Sequence, residues 1–386
     1  MEKIHREIEG KIINKLKNNK VIVLLGARRV GKTVLLKQII SKINIDYLFF
    51  NGEDINVREL FKTQSVQNFK NILGKKRLLI IDEAQNIENI GQKLKLMIDE
   101  IDELKIIITG SSAFDISNKT GEPLTGRKHS FYLTPFSETE YNQIESIIEK
   151  PDNLKHRLIY GNYPELIHLK DNEDKKEYLS EIVNSYLLKD ILVFENIRNS
   201  SKILNLLRLI AWQVGSEISY NEIGKKLGMS KNTVEKYLDL LSKVFILYKL
   251  EGFSRNLRKE IVKSSKWYFY DNGIRNAIIA NLQDFNLRND IGVLWENYIL
   301  SERKKYQLNN GIIVNNYFWR TYNGQEIDWI EERDGNLFAY EIKWNKTAKI
   351  PSAWKNAYPN SVFNVINKDN YLNWINNNYS DITKQF

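Results

Sequence analysis

A glycine-rich loop between an apolar run and a helical pattern constrains this chain more than any other feature. The loop, Gly26-Ala27-Arg28-Arg29-Val30-Gly31-Lys32-Thr33, follows five apolar residues that are typical of a buried strand. After Thr33, apolar residues recur at the spacing of the inner face of a helix. A strand that passes through such a loop into a helix predicts a P-loop, where backbone N–H groups and the helix start bind phosphate.

Each part of the loop has a predicted role. Gly26 and Gly31 allow a tight turn and a close approach of the backbone to phosphate. Lys32 is expected to reach the β- and γ-phosphates of a nucleotide, and the Thr33 hydroxyl to ligate Mg²⁺. The alternative is a chance glycine turn before a basic helix, which the strand and helix on either side disfavour. The predicted nucleotide-binding residues are Gly26, Ala27, Arg28, Arg29, Val30, Gly31, Lys32, Thr33 and Val34.

A second apolar run, Leu78-Leu79-Ile80-Ile81, ends in Asp82 and Glu83. Uninterrupted apolar residues indicate a parallel strand that is covered on both faces. We expect Asp82 to hold the Mg²⁺ of the nucleotide and Glu83 to orient and deprotonate the attacking water. Two acids alone could be a solvated strand end, but the P-loop upstream favours the catalytic interpretation.

A third apolar run, residues 105–108, ends in hydroxyl residues. Thr109 or Ser111 could sense the γ-phosphate here, as in P-loop ATPases with an extra central strand; the alternative is a strand followed by a Gly-Ser turn. Residues 47–50 and 130–133 supply two further short strands. Together these runs predict a parallel α/β sheet with the P-loop strand near its centre.

Composition excludes several classes of protein. The 386 residues can form two or three domains. The chain has no cysteine, so it has neither a disulfide nor a thiolate metal site, which fits a reducing cytosol. Apolar runs are too short to span a membrane and the N-terminus lacks the pattern of a signal peptide. We therefore expect a soluble, cytoplasmic protein with no membrane partner.

Positive charge is concentrated in one segment. The net charge is +9, and residues 201–275 contain 14 Lys and Arg against seven Asp and Glu. Such an excess is typical of a nucleic-acid-binding surface. The same segment has a helix–turn–helix pattern, in which Ser219 and Ser230 begin the helices and Gly228 ends the first one. The exposed face of the second helix is predicted to carry residue types that contact DNA, namely Lys231, Asn232, Thr233 and Lys236.

The apolar and aromatic residues at 244–250 and 266–270 predict the strands of a wing, so a winged helix is expected within residues 201–275. DNA contact is the prediction that the charge favours. The alternative is a winged helix that binds protein or packs inside its own molecule.

Near the C-terminus, Asp334-Gly335 is a strong signal for a two-residue hairpin turn. A turn centred there places Asp328 opposite Glu341, and opposed carboxylates are destabilising unless something compensates them. A divalent cation would compensate them, with Lys343 beside it. The alternative is a solvated strand face on which Lys343 pairs with Glu326.

The spacing Asp328-x(12)-Glu341-x-Lys343 resembles that of the restriction-endonuclease-like nuclease fold. In that fold an Asp and a Glu hold Mg²⁺ and the Lys assists the attacking water. The resemblance also implies a Glu on a preceding helix, for which Glu296 is placed. Cleavage of nucleic acid is left open.

With these motifs assembled, the whole chain resembles a bacterial and archaeal family of AAA-like P-loop ATPases. Members join the ATPase core to a winged helix and a C-terminal domain of unknown function with a restriction-endonuclease-like fold. Asn162 departs from the family pattern, which tends to have a second glycine there. The resemblance makes Arg127 a candidate arginine finger, acting in cis or in trans; the alternative is a surface loop residue. The segments that carry the resemblance are residues 26–33, 80–85, 109–112, 124–127, 133–137, 294–297 and 326–328.

The sequence thus predicts an α/β chain with an AAA-like P-loop NTPase core at 1–140, a helical linker at 141–200, a winged helix at 201–275 and a restriction-endonuclease-like α/β domain at 276–386. The predicted function is a Mg²⁺-dependent ATPase whose hydrolysis is coupled to DNA engagement, and a homo-oligomer is compatible with it. The alternative is a nucleotide-gated switch that acts on a protein partner, with an inactive nuclease-like scaffold.

Overall fold

A computed structural model of the chain describes residues 4–16, 20–110, 124–187, 200–255 and 265–376. The predicted sensor candidate Ser111, and with it the end of the segment 109–112, lies outside these residues. The chain forms two compact units, residues 1–136 with 243–245, and residues 137–242 with 246–386.

The first unit contains a five-stranded parallel sheet in the order β2-β3-β4-β1-β5. The P-loop strand β1 lies between β4 and β5, so the predicted parallel sheet is confirmed. Its strands are β1 (Val21–Leu25), β2 (Tyr47–Asn51), β3 (Leu78–Asp82), β4 (Lys105–Gly110) and β5 (Lys128–Tyr132). Its helices are α1 (Glu9–Lys15), α2 (Lys32–Lys42), α3 (Ile55–Leu60), α4 (Val66–Leu73) and α5 (Ile90–Glu100).

The apolar runs of the sequence become the centre of this sheet. Every residue of β1 and β3 is buried, as is all of β4 except its first residue. Helices on both faces produce this burial, because strands that are covered on both sides need no polar face. One core joins Leu79 and Ile81 of β3 to Phe69 and Leu94 of the helices and to Phe61, which directly follows α3. Burial on both faces leaves the carboxyl ends of the strands as the place where polar side chains can meet.

The second unit begins with helices and continues into a large sheet. Its first helices are α6 (Glu138–Tyr141), α7 (Lys150–Tyr160), α8 (Asn172–Glu181), α9 (Ser200–Trp212), α10 (Tyr220–Leu227) and α11 (Lys231–Lys243). Later helices are α12 (Asn272–Ile278), α13 (Ile291–Asn310), α14 (Ser352–Ala357) and α15 (Tyr371–Asn376). The strands are β6 (Glu217–Ile218), β7 (Leu247–Gly252), β8 (Ser265–Phe269), β9 (Asn315–Arg320), β10 (Glu326–Arg333), β11 (Asn336–Ile342) and β12 (Val362–Ile366).

These seven strands form one sheet in the order β12-β11-β10-β9-β7-β8-β6. Strands β7 and β8 are antiparallel and lie in the segments where the sequence predicts strands; the winged helix itself stays a prediction. Strand β7 also pairs in parallel with β9, through Glu251 with Tyr317 and Gly252 with Phe318. The structure therefore joins in one sheet the segments that the sequence analysis separates at residue 275, because β7 pairs with β8 on one side and with β9 on the other.

The C-terminal hairpin has the predicted register. Trp329 pairs with Tyr340 and Arg333 with Asn336, so the turn is centred on Asp334-Gly335. Both turn residues have positive φ, 47° and 76°, which is the conformation that such a hairpin turn requires. Among the described residues, no helix has the length and apolar character needed to cross a membrane.

Candidate nucleotide site and two further surfaces

The P-loop lies between β1 and α2, as predicted. Gly26 follows β1, and a Cβ added there would lie 2.2 Å from the carbonyl oxygen of Leu133. Gly31 has a φ of 94°, and Arg29 is also left-handed at 64°. Glycine is therefore required at position 26, where a Cβ would clash with the backbone. It is favoured at position 31, where φ is positive. Ala27 and Val30 are buried beneath the loop, whereas Arg29 and Val34 are exposed.

Lys32 begins α2 with its side chain turned into the loop. Its Nζ donates to the carbonyl oxygens of Gly26 and Ala27, both at 3.0 Å. The same Nζ lies 3.9 Å from Oε1 of Glu83, and the side chain is 5% exposed. The positive charge is thus enclosed by the loop at the position where phosphate binds in P-loops.

Asp82 is the polar centre of this site. Its Oδ2 accepts a hydrogen bond from Thr33 Oγ1 at 2.6 Å, and its Oδ1 accepts one from Thr109 Oγ1. The predicted metal ligands Thr33 and Asp82 are therefore in contact, although 49 residues separate them. A hydroxyl and a carboxylate are hard oxygen donors, which is the ligand set that Mg²⁺ prefers beside phosphates. These residues fit the Mg²⁺ that a P-loop implies.

Glu83 follows Asp82 in a left-handed conformation, with φ 50° and ψ 46°. Its backbone N–H donates to Thr109 Oγ1 at 2.9 Å, and its Oε2 accepts from Gln85 at 2.6 Å. Thr109 is completely buried, so its hydroxyl links the backbone of Glu83 to the carboxylate of Asp82. The predicted base, metal ligand and sensor therefore meet at the ends of β3 and β4.

Arg127 lies at the end of the sheet opposite the P-loop, where β1 and β5 begin. It precedes β5, and its carbonyl oxygen accepts from the N–H of Val21, the first residue of β1. The length of β1, about 15 Å, separates this position from the P-loop. Its guanidinium instead pairs with Asp99 at 2.7 Å. Arg127 precedes a strand whose far end faces the loop, so its position does not favour an arginine finger in cis; the role of Arg127, in cis or in trans, stays a prediction.

The helix–turn–helix pattern is formed by α10 and α11. Ser219 Oγ accepts from the N–H of Glu222, and Ser230 Oγ accepts from that of Thr233 at 3.1 Å. Gly228 ends α10 with a φ of 60°. The inner face of α11 is buried through Val234, Leu238 and Leu241. The outer face exposes Lys231, Asn232 and Lys236, and half-buries Thr233.

The carboxylates predicted near the C-terminus come together, but lysines lie between them. Nζ of Lys343 is 2.6 Å from Oε1 of Glu341 and 3.4 Å from Oδ2 of Asp328. Asp328 Oδ2 also accepts from the N–H of Ile342 at 2.8 Å. Burial and the charge of Asp328 raise the pKa of Glu341. Glu296 on α13 accepts from the Tyr268 hydroxyl at 2.7 Å, and burial and Asp328 raise the pKa of Glu296 to about 7.

Lys266 and Tyr268 are site residues that the sequence analysis missed. Both lie on β8, and Lys266 forms an ion pair with Glu326, which the alternative interpretation had assigned to Lys343. Burial opposes the charge of Lys266, but Glu296, Glu326 and Asp328 outweigh it and raise its pKa. The basic residues around β8 are the only sequence signal, and it does not indicate which strand β8 joins.

The residues of the predicted second metal site, Asp328, Glu341 and Lys343, lie next to one another. Within the described ranges, no group of three or more His, Asp or Glu side chains is placed to hold a metal ion. The predicted ligands Asp328 and Glu341 are bridged by the Lys343 ammonium, which supplies the compensating charge that the sequence analysis assigned to a cation. Glu296 accepts a hydrogen bond from the Tyr268 hydroxyl of β8. The metal site here stays a prediction: Lys343 lies beside both carboxylates, as the predicted pattern expects, and its ammonium balances part of their charge.

Three family models match successive parts of the chain. An AAA domain matches residues 18–142, a domain of unknown function (DUF8612) matches residues 151–285, and a second domain of unknown function (DUF4143) matches residues 291–377. Among solved structures, the Walker-type ATPase paby2304 of Pyrococcus abyssi is similar at 17% identity and a TM-score of 0.46, over 71% of this chain and 95% of its own.

Curated relatives extend over most of the chain. The uncharacterized protein Rv2008c of Mycobacterium tuberculosis is 22% identical over 91% of this chain and 76% of its own. A Haemophilus influenzae protein is 27% identical over 84% of this chain and 83% of its own. The uncharacterized protein MJ1544 of Methanocaldococcus jannaschii is 30% identical over 338 residues, 79% of this chain and 74% of its own. With its AAA domain and parallel P-loop sheet, the chain belongs to the AAA-like ATPase family that includes this M. jannaschii protein.

Proposed function

We propose that the first unit binds Mg·ATP and hydrolyses it. The observation that carries this proposal is the position of Asp82, whose two carboxylate oxygens accept from Thr33 and Thr109 at the mouth of the P-loop. This hydrogen-bonded group supports the proposal, because it joins the P-loop hydroxyl of Thr33 to the residues proposed as metal ligand and sensor. Pre-positioned charges and donors of this kind supply most of the catalysis in phosphoryl transfer.

Each residue has a distinct task in this proposal. The loop N–H groups and Lys32 bind the β- and γ-phosphates, and Thr33 and Asp82 hold Mg²⁺, which would neutralise developing phosphate charge. Glu83 orients water and accepts its proton. The contact of Gln85 with Glu83 holds the carboxylate at the end of β3, 3.9 Å from Lys32.

Steady-state ATP turnover tests this assignment. Glu83→Gln keeps the shape of the side chain but removes its basicity, and we expect turnover to fall by about 10² to 10⁴-fold while nucleotide still binds. Glu100→Gln, an exposed position on α5, is the matched control and should leave turnover unchanged. Equal turnover in the Glu83 variant and the wild type would exclude Glu83 as the base.

We further propose that ATP hydrolysis is coupled to the binding of DNA by α11. Support comes from the exposed Lys231 and Asn232, which face outward from a helix whose other face is buried. Exposed basic and amide side chains at the start of such a helix are typical of duplex recognition. Lys231→Ala should weaken duplex binding and reduce the salt slope of log K by about 1. Lys95→Ala, an exposed lysine on α5, should change neither quantity.

A second candidate is a nucleotide-gated switch in which the C-terminal sheet is a scaffold that does not cut nucleic acid. The pairing of Lys343 with Asp328 and Glu341, and of Lys266 with Glu326, favours it. Incubation with supercoiled DNA and Mg²⁺ or Mn²⁺ should leave the DNA intact. Cleavage by the wild type that disappears in Asp328→Ala would overturn the scaffold assignment.

A further inference from the structure

A cavity of about 490 Å³ opens in the second unit, and its lining includes no residue of the helix–turn–helix or of the Asp328, Glu341 and Lys343 cluster. Its walls come from the start of α7, the turn at Phe285–Leu287, the residues after β11 and the start of α15. The volume is within the range of small-molecule sites, about 300–1,000 Å³. None of the functions proposed above uses this cavity.

Aromatic rings form much of its wall. Phe285, Trp344 and Tyr371 all line it, and the rings of Phe285 and Trp344 are 5.4 Å apart. Trp295, which is fully buried, contacts Trp344 at 5.0 Å and Tyr371 at 5.3 Å. Trp295 therefore packs against two of the rings that line the cavity, those of Trp344 and Tyr371. A braced aromatic wall favours a ligand with a flat apolar face.

The rim adds positive charge to this wall. Lys150, Lys155 and Lys368 line the cavity with one acid, Asp369. Lys155 and Lys368 form exposed pairs with Asp152 at 2.9 Å and Asp369 at 2.8 Å, and such pairs are weak enough to exchange for a phosphate. In the part of the chain that the structure describes, Lys150 makes no ion pair or side-chain hydrogen bond. The rim therefore favours an anion.

We propose that this cavity binds an unpaired base of single-stranded nucleic acid, with the adjoining phosphates on the rim lysines. A nucleotide unit combines a flat aromatic face with negative charge, and proteins that bind single strands pair stacking rings with a basic groove. The exposed Ile147, which lines the same cavity, extends the apolar wall outward to meet a base or sugar. This site differs from the duplex surface on α11 and does not depend on it.

Fluorescence anisotropy of a labelled oligothymidine of about ten nucleotides, with the full chain, tests the proposal. Phe285→Ala should raise Kd by about 5 to 100-fold, since stacking on one ring is removed. Its matched control is Leu287→Ala in the same turn, which is exposed and does not line the cavity. Lys150→Glu should also raise Kd and lower its salt dependence, whereas Lys95→Glu, with the same change in net charge, should not.

Three outcomes would overturn the proposal. One is unchanged oligothymidine binding in both Phe285→Ala and Lys150→Glu; if the alanine variant does not fold, Phe285→Leu replaces it. Another is loss of oligothymidine binding in Lys231→Ala with retention in Phe285→Ala, which would assign the single strand to α11. The third is displacement of the oligonucleotide by an Asp-rich, Trp-containing peptide at equal concentration, which would assign the cavity to acidic peptides.

Discussion

Thr33 donates from its hydroxyl to Oδ2 of Asp82 over 2.6 Å, so the first turn of α2 is joined to the last residue of β3. The two residues come from different strand–helix connections and meet because β1 and β3 flank β4 in parallel. Parallel strands bring their carboxyl ends to one edge, where helix starts also point. The nucleotide site is a consequence of this sheet order.

Thr109→Val tests whether the Thr109 hydroxyl orients Asp82 and Glu83 for catalysis without contributing to nucleotide affinity. Valine has the same shape, but it leaves Oδ1 of Asp82 and the N–H of Glu83 without the Thr109 hydroxyl. We expect kcat to fall by about 10²-fold, because the carboxylates lose their alignment, with little change in nucleotide affinity. Thr63→Val, at an exposed position, is the control. A lowered melting temperature with unchanged kcat would limit Thr109 to a structural role.

Arg127→Ala should leave ATP turnover unchanged in dilute protein. The guanidinium pairs with Asp99 at the edge of the sheet opposite the P-loop, and loss of an exposed pair should cost at most about 1 kcal/mol. Turnover measured over a range of protein concentrations checks this. A decrease that appears only when the protein self-associates would support a role in trans, whereas an equal decrease at every concentration contradicts the placement described above.

Gly335→Ala should destabilise the second unit by about 1 kcal/mol, because an L residue is strained at a φ of 76°. No heavy atom lies within 4 Å of a Cβ added there, so the cost is conformational. Gly292→Ala on α13 also meets no atom within 4 Å, and it should stabilise by about 0.5–1 kcal/mol. Urea unfolding of both variants gives the comparison. Effects of the same sign would contradict the turn geometry.

Glu296→Gln should change how stability depends on pH. Burial and then Asp328 raise the pKa of Glu296 from 4.5 to about 7, so the folded chain binds this proton more tightly than the unfolded chain. The stabilisation is full below the unfolded pKa and is lost as pH rises to the folded value. Between about pH 5 and pH 8 the wild type should therefore lose melting temperature relative to the variant by a few degrees. Glu235→Gln, at an exposed position on α11, is the control and should show the same change of melting temperature with pH as the wild type.

The P-loop and the strand before Asp82 could be predicted because their information is local. A buried parallel strand needs an unbroken apolar run, and a phosphate cradle needs glycine at positions that the pattern names. The hairpin at Asp334-Gly335 was predictable for the same reason, since two neighbouring residues with positive φ set its register. In each case residues a few positions apart determine the conformation.

The position of Arg127 and the charge balance of the C-terminal carboxylates depend on contacts between distant strands. Local pattern shows that Arg127 precedes a strand, but the pairing of that strand with β1 decides which edge it occupies. Likewise, one interpretation of the sequence pairs Glu326 with Lys343, whereas the structure pairs Glu326 with Lys266 of β8. Sequence determined the elements and the phosphate chemistry; the tertiary structure decided which charges meet, because the long-range pairing of strands sets those distances.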